Sequence, residues 1–405
     1  MDGTLIGLAL ALTLAPRPGA VTFHTPDTGF PTSYPRALAI VGDDLWVSLG
    51  ATGTPEGLAR ITSAESPGRV VRVFRHVGEA PADAPPDLVY DLEVDGADLL
   101  VATGRGLWRW RAGGAAFEQV VGGGAVPELA RAPDGAVWAV VAVDDLTFTA
   151  LPVDPARAGP DTRATRPTCR RPLLLAPRSA TFATLVCEEG ILDLGARGGL
   201  EVDLTGTPLR IEPTGSERGR PPVWIHDAAT AADGALYLLS QRGGLVRRRD
   251  DHFVKVIDDG RERRILEERR RQELVPNTDL VDLLIEPGGG ALVADVRGVV
   301  HRWTGEASEQ VWPLKVTLGL HNDPADGGVR LVAATADGAL WMVVERGDPH
   351  LVIRLGRGPL GPRATFWALR RPGTSYLDPG VLDSLSDGRG GLWLSTNDGL
   401  WHLRP

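Results

Sequence analysis

The residues of this chain that could do chemistry form few recognisable motifs. Residues 321–326 (HNDPAD) group an imidazole with two carboxylates, donors that a hard cation accepts. The same composition is typical of a polar loop, and we predict no metal ion there. Gly356, Gly358 and Gly361 have the spacing of a dinucleotide-binding loop. Pro362 and a predicted strand follow, so no helix begins there to hold a pyrophosphate. We therefore predict no cofactor and no catalytic residue.

The composition describes a globular chain rich in turns. Of the 405 residues, 43% are apolar and 23% are charged, and 50 Gly with 32 Pro suit many short strands joined by turns. The formal net charge of -9 argues against a nucleic-acid partner, because phosphate contact needs a basic face.

The first twenty residues contain an apolar stretch, Leu5–Ala15, followed by a Pro- and Gly-containing segment. The stretch is too short to span a bilayer and has the length of a secretory signal core. We expect residues 1–20 to be a signal peptide, with a plain N-terminal extension as the alternative. With such a signal we expect a periplasmic or secreted protein. No other segment is apolar enough to cross a membrane. We expect the protein to be a monomer.

Eight segments repeat one pattern: an apolar strand, a tight turn with Asp or Gly, a second strand with a large apolar residue, then Gly and a third strand. Clear examples are residues 93–110 (EVDGADLLVATGRGLWRW) and 386–403 (SDGRGGLWLSTNDGLWHL). Successive copies are 38 to 55 residues apart, close to the length of a propeller blade. The large second-strand residues are Trp46, Leu100, Trp138, Phe182, Tyr237, Leu292, Trp341 and Trp393.

These repeats predict an all-β fold, a single β-propeller over residues 21–405. A fourth β-rich run follows most copies, as at residues 70–77 (VVRVFRHV), so each blade has four strands that need neighbours to bury both faces. We predict about eight blades, with seven as the alternative. The last copy lacks a fourth strand, and we expect residues 20–25 (AVTFHT) to supply it and close the ring. Residues 260–275, rich in Arg and Glu, are expected to form a charged helical insert.

The repeat resembles that of the two-component-regulator propeller family, which reads roughly Asp-x-x-Gly-x-Leu-Trp-x-x-Thr-x-x-Gly-Leu-x-Arg. Residues 387–402 follow it through Asp387, Trp393, Thr396 and Gly399, and residues 95–109 do so too. In that family the propellers are outward-facing sensory domains of membrane-spanning signalling proteins. The resemblance implies a sensory or binding role by analogy of fold.

The two cysteines, Cys169 and Cys187, both fall in the fourth copy. A hairpin centred on Arg178 would place them opposite each other on neighbouring strands, within bridging distance. We predict a disulfide, in keeping with export; the alternative is two buried thiols in a cytoplasmic protein. Zinc is not expected, since neither has a Cys or His neighbour at ligand spacing.

Propellers usually bind ligands at one mouth, where the loops from second to third strands meet those that precede each first strand. Polar side chains on these predicted loops are the candidate ligand contacts. They are Arg105, Glu189, Arg242, Asp295, Arg297, Glu345, Arg346, Asn397 and Asp398, with His226, His321 and Tyr376 on longer loops of the same face.

The function expected from these features is that of an exported ligand-binding or sensory propeller that recognises a glycan, a peptide or a partner protein. A lyase or glycoside-cleaving enzyme is the first alternative, and it needs a carboxylate or His pair at the mouth. An assembly scaffold is the second, and it needs a large exposed apolar patch.

Overall fold

The computed structural model describes most of the repeat-bearing chain. The described residues are 20–24, 30–31, 34–51, 54–62, 69–78, 87–154, 167–170, 172–187, 190–195, 200–203, 211–212, 225–240, 244–249, 252–257, 280–295, 299–305, 308–313, 329–335, 337–344, 350–358, 361–369, 381–397 and 399–404. The predicted signal segment, apart from Ala20, and the predicted helical insert lie outside them. All regular structure within them is β-strand.

Eight antiparallel sheets follow one another along the chain, and they fall into two compact units. One unit holds the first four blades and the eighth, apart from residues 20–21 of β1 and 403–404 of β33, which fall in the other unit. Its strands are β2 (Pro35–Val41), β3 (Asp44–Ala51), β4 (Thr54–Thr62) and β5 (Arg69–Phe74) in the first blade; β6 (Val89–Asp95), β7 (Asp98–Thr103), β8 (Gly106–Trp110) and β9 (Phe117–Val121) in the second; β10 (Glu128–Arg131), β11 (Val137–Ala142), β12 (Thr147–Pro152) and β13 (Cys169–Arg170) in the third; β14 (Pro172–Ser179), β15 (Phe182–Cys187), β16 (Gly190–Gly195) and β17 (Leu200–Asp203) in the fourth; and β31 (Val381–Ser386), β32 (Leu392–Thr396), β33 (Gly399–Arg404) and β1 (Ala20–His24) in the eighth.

The other unit holds the fifth, sixth and seventh blades. Its strands are β19 (Ile225–Thr230), β20 (Leu236–Ser240), β21 (Gly244–Arg249) and β22 (His252–Ile257) in the fifth; β23 (Leu280–Ile285), β24 (Ala291–Asp295), β25 (Val299–Trp303) and β26 (Ser308–Pro313) in the sixth; and β27 (Val329–Ala334), β28 (Leu340–Val344), β29 (His350–Gly358) and β30 (Gly361–Leu369) in the seventh. A short strand, β18 (Ile211–Glu212), pairs in parallel with β22, so the fifth sheet has one strand more than predicted.

The eight sheets are the blades of a β-propeller, as the repeat predicts. Each blade contains one predicted second-strand residue, on β3, β7, β11, β15, β20, β24, β28 or β32. The N-terminal strand β1 pairs with β33 and completes the C-terminal sheet, which confirms the expected pairing of the two ends of the repeat region.

A cation on the third strand joins the turn acid to the second-strand aromatic ring. In the first blade the Arg60 guanidinium lies 2.5 Å from a carboxylate oxygen of Asp44 and 5.7 Å from the centre of the Trp46 ring. The same arrangement recurs as Asp233–Arg247–Tyr237, Asp337–Arg354–Trp341 and Asp387–His402–Trp393. The acidic, aromatic and basic positions of the repeat are therefore tied together by direct contact.

The Thr and second Gly of the repeat close the turn between second and third strands. The Thr103 hydroxyl donates to the carbonyl of Gly106 at 2.9 Å, and Thr396 donates to Gly399 at the same distance. Gly106 has a φ of 123°, and a Cβ added there would lie 2.2 Å from the carbonyl oxygen of Val121. This turn accepts no side chain at that position.

Aromatic residues pack between neighbouring blades, as predicted. The fully buried Trp46 ring lies 5.7 Å from Phe74 in its own blade and 5.5 Å from Trp110 in the second blade, centre to centre. Trp138 of the third blade is buried against the fourth, where its indole N–H donates to the carbonyl of Ser179 at 2.9 Å. Trp46 and Trp138 thus contribute to the interface with the next blade as well as to their own blade.

The disulfide between Cys169 and Cys187 is present, with a Cα–Cα distance of 6.1 Å, but the reason given for it is wrong. The hairpin of β14 and β15 is centred on Ala180, so Cys187 faces Pro172. Cys169 lies instead on β13, the last strand of the third blade. The strand register shifts between Pro177 and Ser179, and the Ala180 N–H in this turn donates to the Asp134 carboxylate of the third blade at 2.6 Å. The bridge therefore joins two blades.

Candidate binding face

Five first strands carry an acidic residue near their beginning, at equivalent places in the blade. In four of them a shift in strand register precedes the acid, which leaves a local bulge. The five are Asp91, Glu128, Asp227, Asp282 and Asp383.

Each of these carboxylates reaches the first strand of the next blade. Asp91 accepts the N–H of its neighbour Leu92 on one oxygen and the N–H of Leu129, on β10, on the other, both at 2.8 Å. Glu128 in turn accepts the Leu175 N–H on β14 at 2.9 Å. The carboxylates therefore act as clasps between successive first strands, where side chains replace the missing strand-to-strand bonds.

The same clasp links the eighth blade to the first and recurs in the other unit. Asp383 accepts the N–H of Leu38 at 2.8 Å. Within the other unit, Asp227 accepts the Leu283 N–H at 3.1 Å, and Asp282 accepts that of Leu331. The same interaction, a first-strand carboxylate that accepts a backbone N–H from the next blade, thus links five pairs of neighbouring blades.

Burial raises the pKa of most of these carboxyl groups. Desolvation raises the pKa of Asp91 to about 8, against the two N–H donors that lower it, and the nearby carboxylates of Asp383 and Glu128 raise it further. Desolvation likewise raises the pKa of Glu128 to about 7, and that of Asp282 to about 7 with a contribution from Asp227. A carboxyl group with such a pKa could exchange protons near neutral pH. In Asp91 both oxygens already accept backbone bonds, which makes it part of the framework.

The sequence reasoning missed these clasps, although a signal is present. An Asp stands inside an apolar strand, five to seven residues before the turn glycine, in VYDLEVDG (89–96), VDLLIEPG (281–288) and VLDSLSDG (381–388). A charge at such a place rarely goes without a partner, so it marks a buried contact.

Arg105, a predicted ligand contact, is held by an ion pair and a hydrogen bond to other residues of the protein. Its guanidinium lies 2.6 Å from the Asp87 carboxylate and donates to the carbonyl of Val77. Asp87 is buried and also accepts the Val77 N–H at 2.6 Å. Arg105 thus fixes the segment that joins the first blade to the second, and 40% of its side chain remains exposed.

The other predicted contacts fall at three kinds of position. Asp295 is fully buried and accepts the Val299 N–H at 2.9 Å, so it closes the turn after β24. Asn397 is exposed in the turn between β32 and β33. His226 lies in β19, and only its backbone is described. Outside the described residues lie Glu189, Arg242, Arg297, His321, Glu345, Arg346, Tyr376 and Asp398.

Most of the exposed large apolar side chains of the described residues lie at one end of their blades. Neighbouring strands are antiparallel, so the end at which a first strand begins is also the end at which its second strand stops. Three of the four exposed large apolar residues of the described chain lie there: Tyr34 (46% exposed) before β2, Leu146 (66%) between β11 and β12, and Leu382 (41%) at the start of β31. The fourth, Val73, lies on the outer strand β5.

These three residues belong to blades of one unit, the eighth, first and third. The clasps join the beginnings of neighbouring first strands, so these blades present the same end on the same side. We call Tyr34, Leu146 and Leu382 the apolar face. The opposite end is formed by Asp-Gly turns such as Asp95-Gly96 and by their ion pairs with arginines.

The described residues contain neither a cluster of metal-ligating side chains nor a membrane-spanning helix. No group of three His, Cys, Asp or Glu side chains is placed to hold a metal ion within the described part of the chain. None of its segments is a helix long and apolar enough to cross a membrane.

No family model and no curated protein matches this chain. Similar solved structures include the extracellular domain of a putative hybrid two-component system from B. thetaiotaomicron, with 11% identity, a TM-score of 0.45 and coverage of 94% of this chain. The extracellular domain of a putative one-component system from the same organism has 12% identity, a TM-score of 0.40 and coverage of 91%. This chain spans 52% of the length of each. YCF48 from Cyanidioschyzon merolae has 12% identity and a TM-score of 0.47, with 95% of this chain and 98% of that one covered.

Proposed function

We propose that this protein is an exported binding or sensory propeller that holds a peptide or a partner protein on the apolar face. The observation that carries the proposal is the segregation of exposed apolar side chains. Tyr34, Leu146 and Leu382 occupy one end of one unit, whereas the opposite ends of the blades carry polar turns and ion pairs. A partner that covers these side chains would remove their apolar surface from water.

The side-chain types favour a peptide or protein over a glycan. Leu146 and Leu382 offer branched aliphatic groups, which pack against apolar side chains and present no flat ring for a sugar to stack on. Tyr34 adds a ring with a polar end, a residue type enriched at protein interfaces. Arg105 and Asn397 lie on second-to-third-strand turns and would supply polar contacts around this centre.

The disulfide supports the exported location. Cys169 and Cys187 are both buried, and their bridge joins the third and fourth blades. Disulfides of this structural kind persist in oxidising compartments and are rare in the cytoplasm. The apolar segment Leu5–Ala15 has the length of a signal core, and export would be its role.

The test is binding to two immobilised arrays, one of random twelve-residue peptides and one of oligosaccharides and cell-wall fragments. The variant carries Tyr34→Ser, Leu146→Ser and Leu382→Ser together. Val73→Ser is the matched control, because it removes an equally exposed apolar side chain from an outer strand. We expect wild type and V73S to bind a common set of peptides and the triple variant to lose at least tenfold in affinity.

Three outcomes contradict the proposal. Binding confined to the glycan array would refute the partner class. Equal peptide binding by the triple variant would refute the apolar face. A wild type that binds neither array would refute binding of peptides or glycans through this surface.

A further inference from the structure

The strand that completes the eighth sheet carries a buried histidine. β1 lies at the edge of that sheet and pairs with β33 alone. Its last residue, His24, is 7% exposed, and its buried Nε2 has no hydrogen-bond partner among the described residues. A buried imidazole without a partner for its ring nitrogen is stable only as the neutral form, because the charged form needs an acceptor or water.

The rings that the structure shows around His24 are apolar and carry no negative charge. Its ring lies 6.0 Å from the Trp393 ring on β32 and 6.4 Å from the Phe30 ring, centre to centre. Phe30 and Trp393 belong to an apolar cluster with Leu45 of the first blade.

The charged group that acts on His24 is a second histidine, His402 on β33. The His402 ring stacks on Trp393 with centres 3.9 Å apart, and its Nε2 lies 3.0 Å from the Asp387 carboxylate. A positive charge on either histidine opposes one on the other, so His402 adds to the effect of burial in keeping His24 neutral.

We propose that His24 makes β1 an acid-released latch: protonation of this imidazole expels the strand from the edge of the eighth sheet and uncovers β33. The strand has one partner, so it can leave without breaking another sheet contact of its own. Its departure would expose a row of unpaired backbone groups on β33, an edge that a strand from another chain could pair with.

Proton linkage gives the size of the effect. Burial, followed by repulsion from His402, lowers the pKa of His24 from 6.5 to about 4. In the released strand the imidazole regains its ordinary pKa, so the released state binds the proton more tightly and is favoured as the pH falls below 6.5. From these two values, the equilibrium for release rises roughly 20-fold between pH 7 and pH 5.

Hydrogen exchange of the full chain, read by mass spectrometry between pH 7 and pH 4.5, tests the latch. After correction for the intrinsic pH dependence of exchange, peptides that cover residues 20–24 and 399–404 should lose roughly 20-fold in protection between pH 7 and pH 5. Peptides from residues 128–142 of the third blade serve as an internal reference and should keep theirs.

His24→Phe is the matched variant, because it keeps an aromatic ring and cannot titrate. We expect it to hold its protection at residues 20–24 throughout the range. The proposal is overturned if wild type shows no selective loss, or if His24→Phe loses protection to the same extent, which would assign the effect to His402. His24→Leu repeats the comparison should the Phe ring fail to pack.

Discussion

The carboxylate of Asp91 accepts the backbone N–H of Leu129, 38 residues further along the chain, at 2.8 Å. The two residues lie on first strands of successive blades, β6 and β10, and the bond crosses the interface between them. Equivalent bonds from Glu128, Asp227, Asp282 and Asp383 show that the propeller joins its blades by side-chain clasps as well as by apolar packing.

Loss of one clasp should destabilise the fold measurably. Asp91→Ala leaves the Leu129 N–H without its acceptor, and a partly buried unpaired donor costs about 1–3 kcal/mol. We expect a corresponding fall in the free energy of unfolding, measured by urea denaturation. Asp145→Ala, an exposed loop acid, is the control and should change stability by less than about 0.5 kcal/mol. Equal effects of the two substitutions would refute the clasp.

The clasp acids predict lower stability at alkaline pH. The pKa of Asp91 is raised to about 8 in the fold, above that of the unfolded chain, so the folded state holds the proton more tightly. Its contribution is complete below about pH 4 and is lost as the pH rises through 8. The pKa values of Glu128 and Asp282, each about 7, act in the same direction.

The melting temperature should therefore fall between pH 6 and pH 9. Asp91→Asn cannot ionise, so its melting temperature should fall less than that of wild type over the same range. A wild-type melting temperature that rises towards pH 9 would show that the backbone donors outweigh desolvation at these acids.

Reduction of the disulfide should weaken the third and fourth blades. The bridge spans 18 residues and lies between strands of different sheets, and closing a loop of that size stabilises a fold by about 3 kcal/mol. We expect dithiothreitol to lower the melting temperature of wild type. The double variant Cys169→Ser, Cys187→Ser should start lower and show no response to the reagent. A wild-type melting temperature that is unchanged after full reduction would contradict the role of the bridge.

The contribution of an ion pair to the free energy of unfolding should depend on how far the pair is buried. Arg354 pairs with Asp337 and lies over the Trp341 ring, with 17% of its side chain exposed. Arg354→Met should cost about 1 kcal/mol through the lost pair and cation–π contact. Arg111→Met removes an exposed pair with Glu118 and should have no measurable effect in the same denaturation experiment. Equal losses would show that burial does not set the value of these pairs.

The blade could be predicted from the sequence, and the structure confirms eight blades over the alternative of seven. The turn Asp, the second-strand aromatic, the Thr and the Gly all act within one four-stranded sheet, as Thr103 and Gly106 do. Local contacts of this kind leave a pattern at fixed spacing, so they can be read from one copy of the repeat and recognised in the others. The pairing of β1 with β33 followed as well, because each end lacked a partner.

Only the tertiary structure decided the contacts between blades. Cys169 pairs with Phe148 in the third blade, and the turn at Ala180 contacts Asp134, 46 residues earlier in the chain. Asp91 finds its second partner 38 residues away, and Tyr34, Leu146 and Leu382 lie at the same end of their blades although they are far apart in the chain. Such relationships depend on how one sheet stacks on the next. The spacing of residues within a strand can mark a clasp acid, but it does not identify the residue in the next blade that the acid contacts.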